Sequence, residues 1–298
     1  IITHVNPDPD SIGSALALSN LFHENKIKHK VFNVSADLPQ NLDFIPRFEK
    51  ITDQLPAFFD LAISVDCGTY KRLGFELDSS IPLINFDHHK SNNNFGAVNI
   101  VDPMKSSTAE LVFEFFKHNG LYITKNSATA LYVGIYDDTL AFSLGRCDEL
   151  TFEKINFLVE CGASPSEIAN KLLRRDSLAK YRIIPKVLDS LELYKEGEVA
   201  SIIAKEEWFK QTGAHNRDCE DALDMIMSIA VVRIAFFVRI VNGVSRVSLR
   251  SKGKIDVSKI AAEFAGGGHF NASGCTIETL DVEEAKEIVL KEIFEIYK

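Results

Sequence analysis

His4-Val5-Asn6-Pro7-Asp8-Pro9-Asp10-Ser11, near the start of a 298-residue chain, ends an apolar run with one imidazole and two carboxylates inside seven residues. A residue before proline is pushed towards extended backbone and each proline fixes its own φ, so Asn6 and Asp8 are both expected to be extended and the loop stiff. Extended residues two apart point to the same side at roughly 6.5–7 Å, and paired catalytic metals sit about 3.5–4 Å apart. Asp8 and Asp10 are therefore expected to reach towards one point and serve one ion each, with His4 adding nitrogen from the end of the preceding strand. The competing reading is a Pro-Asp turn in which Ser11 or Asp10 caps the next helix. The rest of the chain decides between them.

Working outward, residues 1–5 read as a buried strand and 11–28 as a helix with Leu16, Leu18, Leu21 and Phe22 available to a sheet, the opening of an α/β unit. After a short strand at 30–33, the continuous apolar run 61–65 has the character of a fully buried parallel strand. It ends in Asp66-Cys67-Gly68, and the carboxyl end of a strand is where open α/β sheets bind ligands. A third strand, 81–86, delivers Asp87-His88-His89 in the same way. Adjacent histidines in extended chain face opposite sides, so one suits a metal and the other a substrate. A strand at 97–101 and a helix at 108–119 precede a helix from Ser127 that closes in Asp137-Asp138-Thr139. Mixed carboxylate and imidazole ligation suits manganese, iron or zinc and is poor for calcium.

The second half reads as helices through residue 194, with 176–196 serving as a helical linker. A strand at 199–204, a helical patch around Trp208 and a helix at 222–228 follow, the last with Met225 and Met227 as core filler. Strands at 231–241 and 244–250 flank Asn242-Gly243, a two-residue hairpin signal. A helix at 257–264 leads into a glycine-rich loop, and a helix at 282–297 closes the chain. The expected fold class is α/β: a parallel-sheet catalytic domain over 1–175, the linker, and a smaller α/β domain over 197–298. Between Arg233 and Lys259 stand four Arg, three Lys and the single acid Asp256, a local +6 in a chain whose net charge is -9. That pattern suits a phosphate grip, with Arg250, ahead of Ser251, the first choice for a bidentate contact. Glycines at 266 to 268 would let backbone N–H groups approach an anion, with His269 and Ser273 adding donors. Lys252, Lys254 and Lys259 equally fit a solvated face.

With 46% hydrophobic residues, 25% charged residues and 9 prolines, the composition is that of a globular protein. An excess of 42 acids over 33 bases argues against a surface that coats long nucleic acid. Small anionic substrates remain open, because bound divalent ions neutralise carboxylates locally. Five scattered cysteines without a C-x-x-C pair are expected as reduced thiols in a cytoplasmic protein. The most apolar stretch, 229–241, carries Arg233 and Arg239 and is too short to span a bilayer, so no membrane association is expected. No signal-peptide pattern is visible, although the chain opens on Ile1 inside an expected strand, which leaves targeting unread.

These segments resemble the DHH phosphoesterase family, whose four motifs match in order at His4 to Asp10, Asp66, Asp87-His88-His89 and Asp138. The chain is more specifically similar to the nano-RNase and pAp phosphatase branch. That branch carries a glycine-rich signature in its smaller domain, here Phe264-Ala265-Gly266-Gly267-Gly268-His269-Phe270-Asn271-Ala272-Ser273-Gly274. It departs from the family pattern at Ala265, where a fourth glycine is usual, and at Pro9, where the first motif usually has glycine. The resemblance implies that His4, Asp8 and Asp66 hold one manganese and that Asp10, Asp66, His88 and Asp138 hold the other, with Asp66 bridging. Catalytic roles then fall to Asp66, to Asp87 as the group orienting a histidine, and to His89 at the substrate phosphate or leaving oxygen. Substrate would be held by His89, Arg250, Ser251, Gly267, Gly268, His269 and Ser273. The implied activity is two-metal hydrolysis of very short oligonucleotides and linear dinucleotides to mononucleotides, and of pAp to AMP, by a homodimer that excludes long nucleic acid. A pyrophosphatase or polyphosphatase would share the first-domain ligands, and a non-catalytic nucleotide sensor would have lost some of them.

Overall fold

A computed structural model describes residues 1–35, 38–143, 147–241 and 243–297, apart from the His269 side chain. The chain divides into two compact units, Ile1–Arg175 and Asp176–Lys298. Unit 1 is built on β1 (Ile2–Thr3), β2 (Val31–Phe32), β3 (Ile51–Thr52), β4 (Ala62–Val65), β5 (Leu83–Asp87) and β6 (Val98–Val101). All five pairings are parallel and the order is β3-β2-β1-β4-β5-β6. The order reverses between β1 and β4, and such a switch point opens a crevice outside the carboxyl ends of the strands. All four residues of β4 are buried, as a strand enclosed on both faces requires.

One face of this sheet is covered by α1 (Pro9–Glu24), α2 (Thr108–His118) and α3 (Lys125–Asp138), joined in one core with α4 (Glu149–Glu160) and α5 (Pro165–Leu173). Phe116, Ile12, Leu16, Leu131 and Ile135 are fully buried there. Helices α1 and α3 cross at glycines: a Cβ on Gly13 would sit 2.5 Å from the Ala130 carbonyl oxygen, and one on Gly134 3.3 Å from Asp10 Cα and, towards α2, 2.6 Å from Ala109 Cβ. A smaller cluster around Phe32, Leu73 and Leu83 lies beside it.

Unit 2 contains α6 (Leu178–Asp189), β7 (Glu192–Tyr194), β8 (Val199–Ala204), α7 (Glu206–Thr212), α8 (Asp221–Met227), β9 (Ile234–Val241), β10 (Val244–Ser251), α9 (Val257–Glu263), β11 (Gly267–His269), β12 (Ala272–Ile277) and α10 (Val282–Ile296). Its sheet, in the order β11-β12-β10-β9-β8-β7, is antiparallel except for the β8–β9 pair. One apolar cluster joins the sheet to α9 and α10, and another joins it to α6 and α8. Residues 176–196, read from sequence as a linker, thus contribute α6 and β7 to this unit. Val241 pairs with Val244 across the expected hairpin; its Asn242 lies outside the described residues. The glycine-rich stretch, expected as a loop, is in part the edge strand β11, with Gly267 opposite Gly274 and Gly268 opposite Ser273. No helix among the described residues is long and apolar enough to cross a membrane.

Candidate metal centre

The carboxyl ends of β1, β4 and β5 bring His4, Asp66, His88 and His89 together, and the first turn of α1 and the last turn of α3 add Asp8, Asp10 and Asp138. Two ligand groups result, His4-Asp8-Asp66 and Asp10-His88-Asp138, each with donor atoms within 4.8 Å of one another. A third grouping, Asp66-His88-His89, ties them. His4 Nε2 lies 3.5 Å from Asp8 Oδ2 and 3.4 Å from Asp66 Oδ2. His88 Nε2 lies 3.7 Å from Asp66 Oδ1 and 3.3 Å from Asp138 Oδ2. The two oxygens of Asp66 therefore face different histidines, which is the disposition of a bridging carboxylate. Asp137 belongs to none of the three groups.

The donor chemistry fits divalent cations. His4 Nε2 is buried without a hydrogen-bond partner, while Nδ1 is 2.8 Å from the Val5 carbonyl. His88 repeats the pattern, with Nδ1 3.3 Å from the Lys105 carbonyl. An imidazole whose Nδ1–H donates to a carbonyl presents a lone pair at Nε2, the usual arrangement of a ligating histidine. His89 differs: its Nδ1 is 2.7 Å from Asp87 Oδ1, and Asp87 Oδ2 accepts from Asn92 Nδ2 at 2.5 Å. Asp87, fully buried, thus fixes a histidine from behind.

The electrostatics point the same way. Burial raises the Asp10 pKa well above the ordinary carboxylate value, and Asp66, Asp138 and Asp8 raise it further. Burial likewise carries Asp137 up to about 7, with Asp8, Asp138 and Asp66 contributing. Burial alone would lower the His4 pKa, but Asp66 and Asp8 outweigh it and lift it to about 10. Asp66, which burial would push up, is held far down by His4, His89 and His88. Carboxylates crowded in low dielectric need positive charge, and a divalent ion is the largest local source of it.

The opening stretch corrects both sequence readings: it is not extended throughout, and the cap of α1 is Asp8 rather than Ser11 or Asp10. Asn6 is not extended: its φ is +53°, in the left-handed region that asparagine tolerates. Asp8 is extended (φ -94°, ψ 176°) and caps α1, accepting from the Ser11 amide at 2.9 Å. Pro9 stands at the first helical position, where its missing N–H costs nothing, so Asp10 is helical and the extended two-residue spacing does not hold. Asp10 reaches the centre by another route, with its carboxylate at the start of α2. Oδ2 accepts from the Thr108 amide at 2.7 Å and Oδ1 from the Ala109 amide at 2.9 Å, a favourable place for an anion. Thr108 Oγ1 also donates to Asp66 Oδ1 at 2.9 Å.

Sequence reasoning missed Thr108, Ala109 and Gly134. Gly134 sits one turn before Asp138, where a Cβ would come within 2.7 Å of Asp10 Oδ1. The signal for the α2 start was available in Ser107-x-x-Glu110, a capping pattern ahead of an apolar run. Ser107 does cap that helix, although Glu110 bonds Ser106 instead of the cap.

In unit 2, Arg250 Nε lies 3.6 Å from Asp224 Oδ1 and Nη1 donates to the Leu249 carbonyl at 3.3 Å. Ser251 Oγ donates to the Ile255 carbonyl and Ser273 Oγ to the Val257 carbonyl, so both hydroxyl protons are engaged inside the unit. The glycines have packing reasons: a Cβ on Gly266 would meet the Gly274 carbonyl oxygen at 2.4 Å, and one on Gly268 (φ +146°) Ser273 Cα at 2.6 Å. A Cβ on Gly267 would meet nothing within 4 Å. The His269 side chain lies outside the described residues.

Residues 1–135 match the model of the DHH family, N-terminal domain, and residues 198–298 that of the DHHA1 domain. The bifunctional oligoribonuclease and PAP phosphatase NrnA of Thermus thermophilus is 30% identical over 99% of this chain and 89% of its own length. The Bacillus subtilis protein of the same name is 26% identical over 93% of this chain and 88% of its own length. An exopolyphosphatase-related protein from Bacteroides fragilis superposes with a TM-score of 0.90 at 28% identity, covering 98% of this chain and 90% of that one. With an α/β parallel-sheet unit bearing the aspartate-histidine cluster and a smaller α/β unit after it, the chain belongs to the DHH family, in the branch that includes NrnA.

Proposed function

We propose that this protein is a manganese-dependent phosphoesterase that hydrolyses very short oligonucleotides to mononucleotides and pAp to AMP. The observation that carries the reading is the convergence of His4-Asp8-Asp66 and Asp10-His88-Asp138 about one carboxylate, Asp66, in a chain akin over nearly its full length to proteins named for those two activities. His4, Asp8 and Asp66 would hold one cation, and Asp10, Asp66, His88 and Asp138 the second. When bound, such ions neutralise charge gathering on phosphate oxygens and acidify water enough to make it a nucleophile near neutral pH.

The remaining roles belong to the chain's own groups. Asp87 and Asn92 hold the His89 ring. Burial would lower the His89 pKa, but the Asp87 bond raises it, a direction that suits a ring donating to a phosphate oxygen or the leaving oxygen. Thr108 and the α2 amides fix Asp66 and Asp10 in place. In unit 2, Arg250, with Gly267, Gly268 and His269, is the part of this reading that grips the substrate's terminal phosphate and limits substrates to a few nucleotides. Five free thiols suit the reducing cytoplasm, and the homodimer is checked by sedimentation equilibrium.

The test is a substrate panel of pAp, pApA, pGpG, a longer RNA, pyrophosphate and polyphosphate, with manganese and with a chelator. Hydrolysis of the first three that stops on chelation is expected. Cleavage confined to pyrophosphate or polyphosphate would replace this reading with the second one, which the likeness to an exopolyphosphatase-related protein keeps in view. Indifference to chelation would overturn the metal mechanism.

A further inference from the structure

Two polar residues inside the parallel sheet of unit 1 have no role in the reading above. Ser64 on β4 and Asn85 on β5 are register partners, and both are fully buried. A hydroxyl and an amide in such a place cost stability unless their hydrogen bonds are made. Here they are made in one direction. Ser64 Oγ donates to Asn85 Oδ1 at 3.0 Å, and Asn85 Nδ2 donates to the Cys67 carbonyl at 3.2 Å. With its oxygen engaged by Ser64, the amide turns its nitrogen towards the loop that follows β4.

That loop carries Asp66, the carboxylate the two ligand groups share, and Asp66 is held in a bent conformation. Its φ is +57°, in the left-handed region, which few residues other than glycine enter, although aspartate does so more readily than most. Such a conformation persists only where its surroundings over-determine it. The Asp66 amide donates to the Phe86 carbonyl at 2.9 Å, Thr108 Oγ1 holds the side chain at 2.9 Å, and Asn85 holds the chain just beyond it through the Cys67 carbonyl. Asn92 Nδ2 reaches the same carbonyl at 3.4 Å while also donating to Asp87 Oδ2. Without Asn85, a buried carbonyl next to the bridging carboxylate would keep only this longer bond from a half-buried side chain, and relaxing the left-handed bend is how the loop would find another donor.

We propose that Asn85 is a positioning residue of the metal centre: its amide, set by Ser64, keeps Asp66 in the conformation in which one carboxylate faces both His4 and His88. The inference rests on the two-cation reading of that centre. It is tested on the full chain by calorimetric titration of manganese into metal-free wild type, Asn85→Ala, Asn85→Thr and Ser64→Ala. Melting curves of the metal-free proteins and electron paramagnetic resonance spectra of the loaded ones are recorded alongside. Asn85→Thr is close in volume and keeps a hydroxyl for Ser64, but it ends short of Cys67. Both Asn85 variants should bind manganese about tenfold to a hundredfold more weakly, the usual cost of losing a group that holds a ligand in place. The spectrum of a coupled, carboxylate-bridged manganese pair should give way to that of separate ions. Ser64→Ala leaves the Cys67 donor in place, so it should melt earlier than wild type yet bind manganese as wild type does. A merely structural pair would not separate affinity from stability in this way. Wild-type affinity and coupling in both Asn85 variants would overturn the inference. So would manganese affinity in Ser64→Ala that falls as far as in Asn85→Ala, or failure of both Asn85 variants to fold, which would assign the residue to the sheet alone. A wild type that binds no manganese would remove the two-cation reading and the inference with it. Asn85-dependent binding in a protein that hydrolyses none of the panel would sink the phosphoesterase reading and leave Asn85 in place.

Discussion

The two units differ in what they do with charge: unit 1 buries a cluster of carboxylates and imidazoles, and unit 2 pairs arginines with acids near its surface. In unit 1 the groups at the strand ends are buried and only partly satisfied: Asp66 accepts from Thr108 Oγ1, but His4 Nε2 has no hydrogen-bond partner, and the oxygens of Asp66 stand 3.4 and 3.7 Å from two imidazoles, longer than a good hydrogen bond. In unit 2 the named basic groups have partners, Arg239 in Ser248 and Glu220 although its Nε is buried without one, Arg250 in Asp224, and the hydroxyls of Ser251 and Ser273 donate to carbonyls. A buried cluster of this kind is balanced by protons or by a bound cation. A half-exposed basic face needs no such balance and can wait for substrate. In the proposed function, accordingly, the chemistry belongs to unit 1 and unit 2 contributes selection.

The sharpest way to break that contrast is to remove the carboxylate both histidines share. Asp66→Asn should lower cation affinity by well over about a hundredfold, since losing even a partner of a ligand costs 10–100-fold. Hydrolysis should fall with it, measured by manganese content and turnover on pApA. Retained manganese at two per chain would show that the ligand groups are not what they resemble.

Next in size is the dependence of cation binding on pH. His4 is lifted to about 10 and Asp10 is raised too, so in the cation-free protein protons are retained where a cation must sit. Below pH 10 the incoming ion displaces the His4 proton. Affinity should therefore rise with pH, by about tenfold per unit for one proton released, and weaken as pH falls. Calorimetry in two buffers of different ionisation enthalpy counts the protons directly. A count of zero at neutral pH would contradict the electrostatics of the centre.

Glycines extend the comparison to packing. Gly134→Ala would drive a methyl to 2.6 Å from Ala109 Cβ and 2.7 Å from Asp10 Oδ1, an overpacking of about 1–3 kcal/mol. That corresponds to a fall in melting temperature of roughly 2–4 °C per kcal/mol, with weaker binding of the cation that Asp10 serves. Gly267→Ala in unit 2 meets nothing and should leave both unchanged. A manganese titration and a melting curve on the two variants decide the point.

What was legible in the sequence follows from where the information is stored. Continuous apolar runs ending in Asp66 and in Asp87-His88-His89 announce parallel strands with ligands at their carboxyl ends, because burial on both faces and chemistry at the tip are both local. Two-residue strands such as β3 carry no period to detect. Pro9 misled because one residue serves equally to extend a loop or to open a helix, and only the packing of α1 chooses. The seat of Asp10 on the Thr108 and Ala109 amides spans 98 and 99 residues, and no window along the chain contains it. The glycine-rich stretch looked like an anion loop because the strand it pairs with, β12, lies beyond its own turn.

The smallest effect expected is the most telling for unit 2. The Arg250 contact with Asp224 joins a half-buried guanidinium to an exposed carboxylate at 3.6 Å, and pairs near the surface contribute little to stability, so both partners can be removed without unfolding the sheet. Arg250→Ala should raise KM by about tenfold for nucleotides with a terminal phosphate, the worth of one charge-assisted contact, while manganese content and melting temperature stay put. Asp224→Ala takes away the acid that competes for the same guanidinium and should hold KM level or lower it. If Arg250 were only half of a surface ion pair, the two variants would behave alike. Divergence in KM between them, with metal content constant, is what a residue reserved for substrate produces and an ornamental pair cannot.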